Sequence, residues 1–351
     1  MIFHDVPLLP HNTFGIDVKA DNFFEFASKD ELRAALPSLP RPLLCIGSGS
    51  NLLFCSDFHG TIVHSRICDL QVEEFEDFVL VKAGSGIVWD EFVEWCVERS
   101  YHGAENLSGI PGEVGASAVQ NIGAYGAEVC QIIERVEAVD TETGEIWLID
   151  GSECGYAYRD SIFKHSHSGP AERGCAFEDC PAPQDPRYII TYVTYRLSRE
   201  WKPNLTYKAL AQDLDERCDG VPSAALVRQA VKEMRDGKLP DPKVLGNAGS
   251  FFVNPIVEAS LASSLAKEYP RMPQFAAEGG RVKLSAAWLI DQCGWKGRNL
   301  GPAGCYERQP LVLVNLGGAD GKDIIALAEA IIRDVKARFG VTLSMEVNRI
   351  G

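Results

Sequence analysis

From residue 41 onward, short apolar runs alternate with glycine-rich turns. RPLLCIG (41–47), GTIVHS (60–65) and FVLVKAG (78–84) read as strands. WDEFVEWCVERS (89–100) follows, with Trp89, Phe92, Val93, Cys96 and Val97 at helical spacing. Residues 106–128, NLSGIPGEVGASAVQNIGAYGAE, carry almost no charge and read as a long loop. RVEAVDTETGEIWLID (135–150) reads as a hairpin turning at Thr141–Gly144, and RYIITYVTYRL (187–197) as a further strand. Between them, 166–187 is rich in Pro, Gly and charge, and reads as an exposed insertion.

The pattern shifts near residues 200–206. SAALVRQAVKEMRDG predicts a helix with Ser223 at its N-cap and Gly237 just past its end. GKDIIALAEAIIRDVKARFG predicts a strongly amphipathic helix closed by Gly340, and VTLSMEV (341–347) alternates like a strand. No internal repeat interrupts this order.

Composition narrows the function. The chain has 351 residues, 46% hydrophobic and 24% charged, which suits two or three domains with substantial cores. A net charge of −15 without a basic stripe argues against a nucleic-acid partner, although an anionic substrate is compatible with a few focused Arg and Lys. No apolar run is long enough to span a bilayer, and the first twenty residues lack the features of a signal peptide, so a cytoplasmic protein is expected. The eleven cysteines form no CxxC pair and no zinc-like cluster, so no metal is expected; Cys175 and Cys180 are the closest pair. All seven histidines lie between His4 and His167, so chemistry in the second half must proceed without imidazole.

Five segments are candidates for chemistry. GSGSNLL follows a strand, and Gly47, Ser48, Gly49, Ser50 and Asn51 form either an ordinary turn or a nest of amides for a pyrophosphate. A Rossmann fingerprint is excluded, because Leu52 stands where the third glycine should be. Ile110–Gly126 is built from small residues around one charge, Glu113. It is either a structural Ω-loop or a surface for a flat heteroaromatic ligand, with Gln120 and Asn121 offering amide edges. GYAYRDSIFKH places Arg159 beside Asp160, as a carboxylate fork or a surface ion pair. GNAGSFFVNP presents Ser250, which without a nearby base suits proton donation better than nucleophilic attack, if it is more than a loop-to-strand junction. Glu346 falls on the outer face of the last strand, where a lone Glu is ordinarily solvated.

In their order, NTFGID (12–17), GSGSNLLF, IPGxVGASxxQNIGAYG, YRDSIFK, KLPDPK, GNAGSFFxNP, SAAWLIDQCGWKG (285–297) and the terminal EVxxIG resemble the UDP-N-acetylenolpyruvoylglucosamine reductase (UDP-N-acetylmuramate dehydrogenase) family across residues 11–351. LTYKAL resembles the tyrosine loop of its longer, first-type members. The resemblance implies an α+β fold: a two-lobed FAD-binding domain of the vanillyl-alcohol-oxidase type and a C-terminal substrate domain. The parts are expected at 1–70, 71–203 and 204–351. It implies FAD as cofactor and NADPH as co-substrate, used by a monomer to reduce a UDP-sugar enolpyruvyl ether. Gly47–Asn51 would face the pyrophosphate. Gly115, Ala116, Ser117, Gln120, Asn121, Gly123, Ala124, Tyr125 and Gly126 would face the isoalloxazine and phosphates. Tyr207, Lys238, Asn254 and Gln309 match positions that contact the UDP-sugar. Arg159 and Glu346 would polarise the substrate carboxylate, with a proton held at Glu346 because bare carboxylates repel. Ser250 would protonate the carbanionic carbon. The ending VNRIG leaves Arg349 without an implied role.

Two rival readings remain: another FAD oxidase or dehydrogenase of the same cofactor fold, and a non-catalytic UDP-sugar or flavin-binding protein.

Overall fold

The computed structural model describes residues 1–164 and 185–351. The first lobe contains β1 (Ile2–Pro7), β2 (Lys19–Phe26), α1 (Lys29–Ala35), β3 (Leu43–Ile46), β4 (Leu52–Phe54) and β5 (Phe58–Ser65). Its sheet runs β1-β2-β5-β3, antiparallel at the first pair and parallel at the next two. The hydrophobic pattern before residue 41 had suggested no elements. In β2, Phe23 and Phe24 are adjacent yet both buried, because the sheet is covered on both faces and each ring enters a different core.

The second lobe contains β6 (Leu70–Glu74), β7 (Phe78–Gly84), α2 (Trp89–Glu98), α3 (Val114–Gln120), β8 (Gly123–Ala124), β9 (Ala127–Glu128), β10 (Ile133–Asp140), β11 (Ile146–Asp150) and β12 (Tyr188–Ser198). Its antiparallel sheet has the order β11-β10-β12-β7-β6. The expected loop at 106–128 is corrected here: α3 lies inside it. Val114 and Ala118, one helical turn apart, are fully buried, and Ser117 Oγ lies 3.0 Å from the Tyr195 hydroxyl of β12. Small side chains that suit close approach also allow a short helix to lie flat on a sheet.

The third part contains α4 (Lys208–Arg217), α5 (Ala224–Asp236), β13 (Gly246–Ser250), β14 (Ile256–Val257), α6 (Ala259–Glu268), β15 (Gln274–Ala276), β16 (Val282–Leu284), α7 (Ala286–Gln292), β17 (Asn299–Leu300), β18 (Ala303–Cys305), β19 (Val312–Asn315), α8 (Gly321–Phe339) and β20 (Asn348–Ile350). Two antiparallel sheets, β13-β19-β18-β17 and β14-β16-β15, share it. Ser223 caps α5 by accepting from Leu226 N. Helix α8 opens on an Asp320–Asp323 capping box and ends at Gly340 with φ 68°. Ile324, Leu327, Ile331, Val335 and Phe339 give it a continuous buried stripe.

The expected strand at 341–347 is corrected. Val341, Leu343 and Val347 are buried while Thr342 and Ser344 are exposed, so the alternation holds. The backbone, however, finds a neighbour only at the single bridge Met345–Phe252. Regular pairing begins at β20, which runs parallel to β4 and returns the end of the chain to the first lobe.

The insertion at 166–187 lies mostly outside the described residues, as do Cys175 and Cys180. At its end the reading is corrected: Pro186 is buried, and Asp185 Oδ1 accepts from Leu43 N at 2.9 Å and Arg41 Nη1 at 2.8 Å. Among the described residues, no helix is long and apolar enough to cross a membrane, and no group of three or more His, Cys, Asp or Glu is placed to hold a metal.

Candidate active site

NTFGID is the hub on which the site is built. Asn12 is buried; its Nδ2 donates to Leu8 O and Ile16 O, and its Oδ1 accepts from Ile16 N. The turn so fixed gives Thr13 N to Gly49 O at 3.2 Å and receives Asn247 N on Thr13 O at 3.0 Å. One short segment therefore ties the 47–51 loop to the strand that carries Ser250.

Gly49 has φ 69°, and a Cβ there would stand 1.9 Å from His11 O. That glycine is required by the chain's own backbone, whatever ligand the loop meets. Beyond it opens a cleft between the two lobes. Residues 47–51, Gly115, Ala116, Gln120 and Asn348 form one stretch of its wall, and Leu44, Phe163, Pro186, Tyr188 and Ile190 form an apolar stretch. The mixture of exposed main chain with apolar surface suits a nucleotide cofactor.

Not every residue of 115–126 faces that cleft. Ser117 Oγ donates to Val114 O at 2.7 Å, inside the second lobe. Asn121 is fully buried at φ 43°, with Nδ2 bonded to Ala157 O at 2.9 Å and Oδ1 to Cys130 N at 3.2 Å. Its amide edges are thus engaged with protein. Gly123, Ala124, Tyr125 and Gly126 form the β8–β9 hairpin, with positive φ at Tyr125 and Gly126 as a primed turn needs.

Arg159 joins this hairpin to the chain's end. Its Nη2 donates to Gly123 O at 2.7 Å and its Nη1 to Asn121 O at 3.4 Å, fixing the plane of the guanidinium. Nε is then 2.8 Å from Glu346 Oε1, close enough for an ion pair, although its N–H is not aimed along that line and no other acceptor among the described residues satisfies it. Both side chains are largely buried, and Arg159 holds a left-handed φ of 57°. Gln120 Nε2 approaches the same oxygen at 3.4 Å. The sequence reading of a solvated Glu346 is therefore corrected: it sits where three segments meet.

Ser250 arrives beside them through the backbone. Glu346 N donates to Phe251 O at 2.8 Å, and Val253 N donates to Ser344 O at 3.1 Å. The β13–β19 register shifts between Asn247 and Ser250, an irregularity that re-aims the strand end. Buried Asn247 fixes it by donating to Pro240 O and Leu245 O while accepting from Gly249 N. Gln309 flanks the same strand: its carbonyl accepts from Val312 N, and Leu311 O accepts from Phe251 N.

The other expected contacts lie around this centre. Tyr207, half-exposed at the start of α4, meets Tyr125 edge-on with ring centroids 5.2 Å apart. Lys238 follows α5, its N–H donating to Arg235 O. Asn254 has a structural role: its Oδ1 accepts from Ala286 N at 3.0 Å at the start of α7. It also bonds Tyr158, whose phenol burial and Glu346 push above its ordinary pKa.

Arg235 was missed by sequence reading. Its Nε donates to Gly109 O at 3.0 Å, and burial lowers its pKa while Tyr125 and Asp236 oppose the shift. Tyr125 in turn has its pKa raised by burial. Lys283, also missed, places Nζ 4.8 Å from the Tyr158 ring centre. An Arg at the end of a polar helix and a Lys in a short strand carry no distinguishing pattern.

This cleft, whose wall residue Gln120 reaches the Arg159–Glu346 pair, and a match of residues 20–150 to an FAD binding domain family define the class: an FAD-dependent oxidoreductase. Residues 241–350 match the UDP-N-acetylenolpyruvoylglucosamine reductase, C-terminal domain, family. The chain belongs to the UDP-N-acetylenolpyruvoylglucosamine reductase family: it is 50% identical over 346 residues to the enzyme of that name from Bacteroides fragilis, covering 98% of each chain. It is 44% identical over 353 residues to the one from Porphyromonas gingivalis, covering 99% of each. The crystal structure of UDP-N-acetylenolpyruvylglucosamine reductase from Thermus caldophilus shares the fold, with TM-score 0.65, 22% identity and 99% of this chain and 98% of that chain covered.

Proposed function

We propose that this enzyme reduces UDP-N-acetylglucosamine enolpyruvate to UDP-N-acetylmuramate with NADPH, a step of peptidoglycan precursor synthesis, acting as a monomer in the cytoplasm. The observation that carries the reading is the Arg159–Glu346 contact, reached by the cleft residue Gln120, with the Ser250 strand bonded to the backbone of Glu346. The 47–51 loop, Gly115, Ala116 and Gln120 would hold FAD, which when bound would carry hydride between NADPH and the enolpyruvyl double bond.

The protein's share is orientation and charge. Hydride delivery to the terminal carbon leaves negative charge on the neighbouring carbon and its carboxylate. Arg159, held flat by two carbonyls, is pre-set to meet that charge, and its unsatisfied Nε provides a donor. Ser250 gives its hydroxyl proton to the carbanionic carbon, a donor strong enough for a very basic centre. Tyr207, Lys238, Asn254, Gln309 and Arg235 are assigned to the UDP moiety. Residues 1–70, 71–203 and 204–351 are the corresponding functional parts.

The test is an anaerobic spectrum. Yellow protein should bleach with NADPH and regain colour when the enolpyruvyl ether is added. Bleaching without recovery would assign a different substrate, and a protein that stays colourless after FAD is supplied would overturn the reading.

A further inference from the structure

The one charge in the glycine-rich segment 110–126 is Glu113, and the cleft wall includes it. One of its carboxylate oxygens, Oε2, lies 3.2 Å from where a Gly47 Cβ would stand. A carboxylate therefore sits directly behind the loop assigned to the cofactor's diphosphate. Left alone, two negative groups facing each other through a poorly hydrated wall repel.

His64, on β5, answers that charge. Its Nε2 is 3.0 Å from Glu113 Oε1, and its Nδ1 is 3.4 Å from Glu25 Oε1. An ionised carboxylate only accepts, so a ring facing one at each nitrogen carries hydrogen on both and is an imidazolium. The His64 and Glu113 side chains are 9% and 10% exposed, so solvent screens their interaction little.

The surroundings leave the task to His64. Glu25, on β2, has a second cation in Arg66, whose Nε is 3.7 Å away. His11, from the segment after β1, has its pKa lowered by burial and by His64, with Glu25 opposing. Cys45, on β3, is a free thiol on the same cleft wall and supplies no countercharge. Among the described residues, the ion pair of Glu113 is with His64.

We propose that His64 is a positioning residue for FAD: its proton neutralises Glu113, so that the wall behind Gly47 accepts the diphosphate, and FAD affinity falls as His64 deprotonates. The inference rests on the assignment of the cleft to FAD. Burial opposes the charge on His64, but the bonds to Glu113 and Glu25 outweigh it and raise its pKa above the usual 6.5. Tight binding thus holds below the ordinary histidine pKa and weakens as pH rises through the raised pKa of His64.

The test is equilibrium binding of FAD to flavin-stripped full-length protein, followed by flavin fluorescence from pH 6 to 9. Wild type, His64→Gln, Glu113→Gln and the double variant are compared, with circular dichroism melts to verify folding. Wild-type Kd should rise with pH. His64→Gln should raise Kd about tenfold at pH 6.5. Glu113→Gln should abolish the pH dependence, and the double variant should return to within about threefold of wild type. A flat wild-type profile, or a double variant that binds no better than His64→Gln, overturns the inference while leaving the cleft assignment standing. If His64→Gln does not fold, the comparison of wild type with Glu113→Gln decides alone. Failure of the wild type to bind FAD at any pH overturns the cleft assignment itself, and the inference with it.

Discussion

Asn51 and Glu346 are 295 residues apart in sequence, yet the Asn51 side-chain amide donates to the Glu346 carbonyl at 3.3 Å. Asn348 N adds a bond to Asn51 O at 3.0 Å, and the two segments continue as the parallel pair β4–β20. The loop assigned to the cofactor and the acid assigned to the substrate are thus two sides of one backbone junction. Errors in packing at the chain's end should reach the chemistry directly.

Ser250→Ala removes the assigned proton donor without disturbing the backbone bonds that hold the strand. Flavin content and bleaching by NADPH should be unchanged, while reoxidation by the enolpyruvyl ether slows by about 10²–10⁴-fold. Anaerobic stopped-flow absorbance separates the half-reactions. Wild-type reoxidation in the variant would remove Ser250 from the mechanism.

Arg159→Lys keeps the charge but loses the fork that bonds Gly123 O and Asn121 O together. Turnover should fall by roughly 10²-fold or more, as expected when a pre-oriented donor to developing charge is lost. Thermal melting should fall as well, because the Gly123 and buried Asn121 carbonyls lose their donors, so turnover is compared well below the melting transition. A variant with normal kcat would show that orientation of this charge is unimportant.

Gly49→Ala should destabilise the protein. Forcing a β-carbon into φ 69° costs roughly 1–3 kcal/mol on its own, and the new atom would meet His11 O at 1.9 Å. Urea unfolding should show the loss in protein stripped of flavin as well as in protein that holds it. If stability dropped only in the presence of FAD, the glycine would be explained by the ligand rather than by the fold.

Asp90 clamps the second lobe to α5. It bonds Arg228, Lys232 and Gly109 N, which together outweigh burial and hold its carboxyl well below the usual carboxylate range. A depressed folded-state pKa contributes stability above the unfolded value of about 4, and that contribution is lost as pH falls below it. Asp90→Asn should therefore cost roughly 2–3 kcal/mol at pH 7, after allowance for its partial exposure. The gap to wild type should narrow in urea melts repeated toward pH 3. A constant gap would mean that the ion pairs are not its source.

Much of the fold was legible in the chain. Periodicity located α2, α5 and α8, because their buried stripes repeat every three or four residues; it also located β7, β10 and β12, and the caps Ser223, Gly237 and Gly340. Where burial depends on neighbours rather than on period, the reading failed. Helix α3 is hidden because its small side chains carry no amphipathic signal until β12 covers it. The adjacent phenylalanines of β2 look irregular until both faces of the sheet are seen to be packed.

The sequence by itself determined which residue types were available: a Gly-Ser loop after a strand, one arginine in YRDSIFK, one serine after GNAG, and a second half without histidine. These are local facts, set by composition and spacing, and their ordered set carried the family resemblance. Only the tertiary structure decided that Glu346 is buried against Arg159 and Gln120, that Asn121 and Ser117 turn into the protein, and that Glu113 is matched by His64. Each of these depends on which distant backbone supplies the neighbour, and therefore on solvent exclusion and charge pairing that no local pattern encodes.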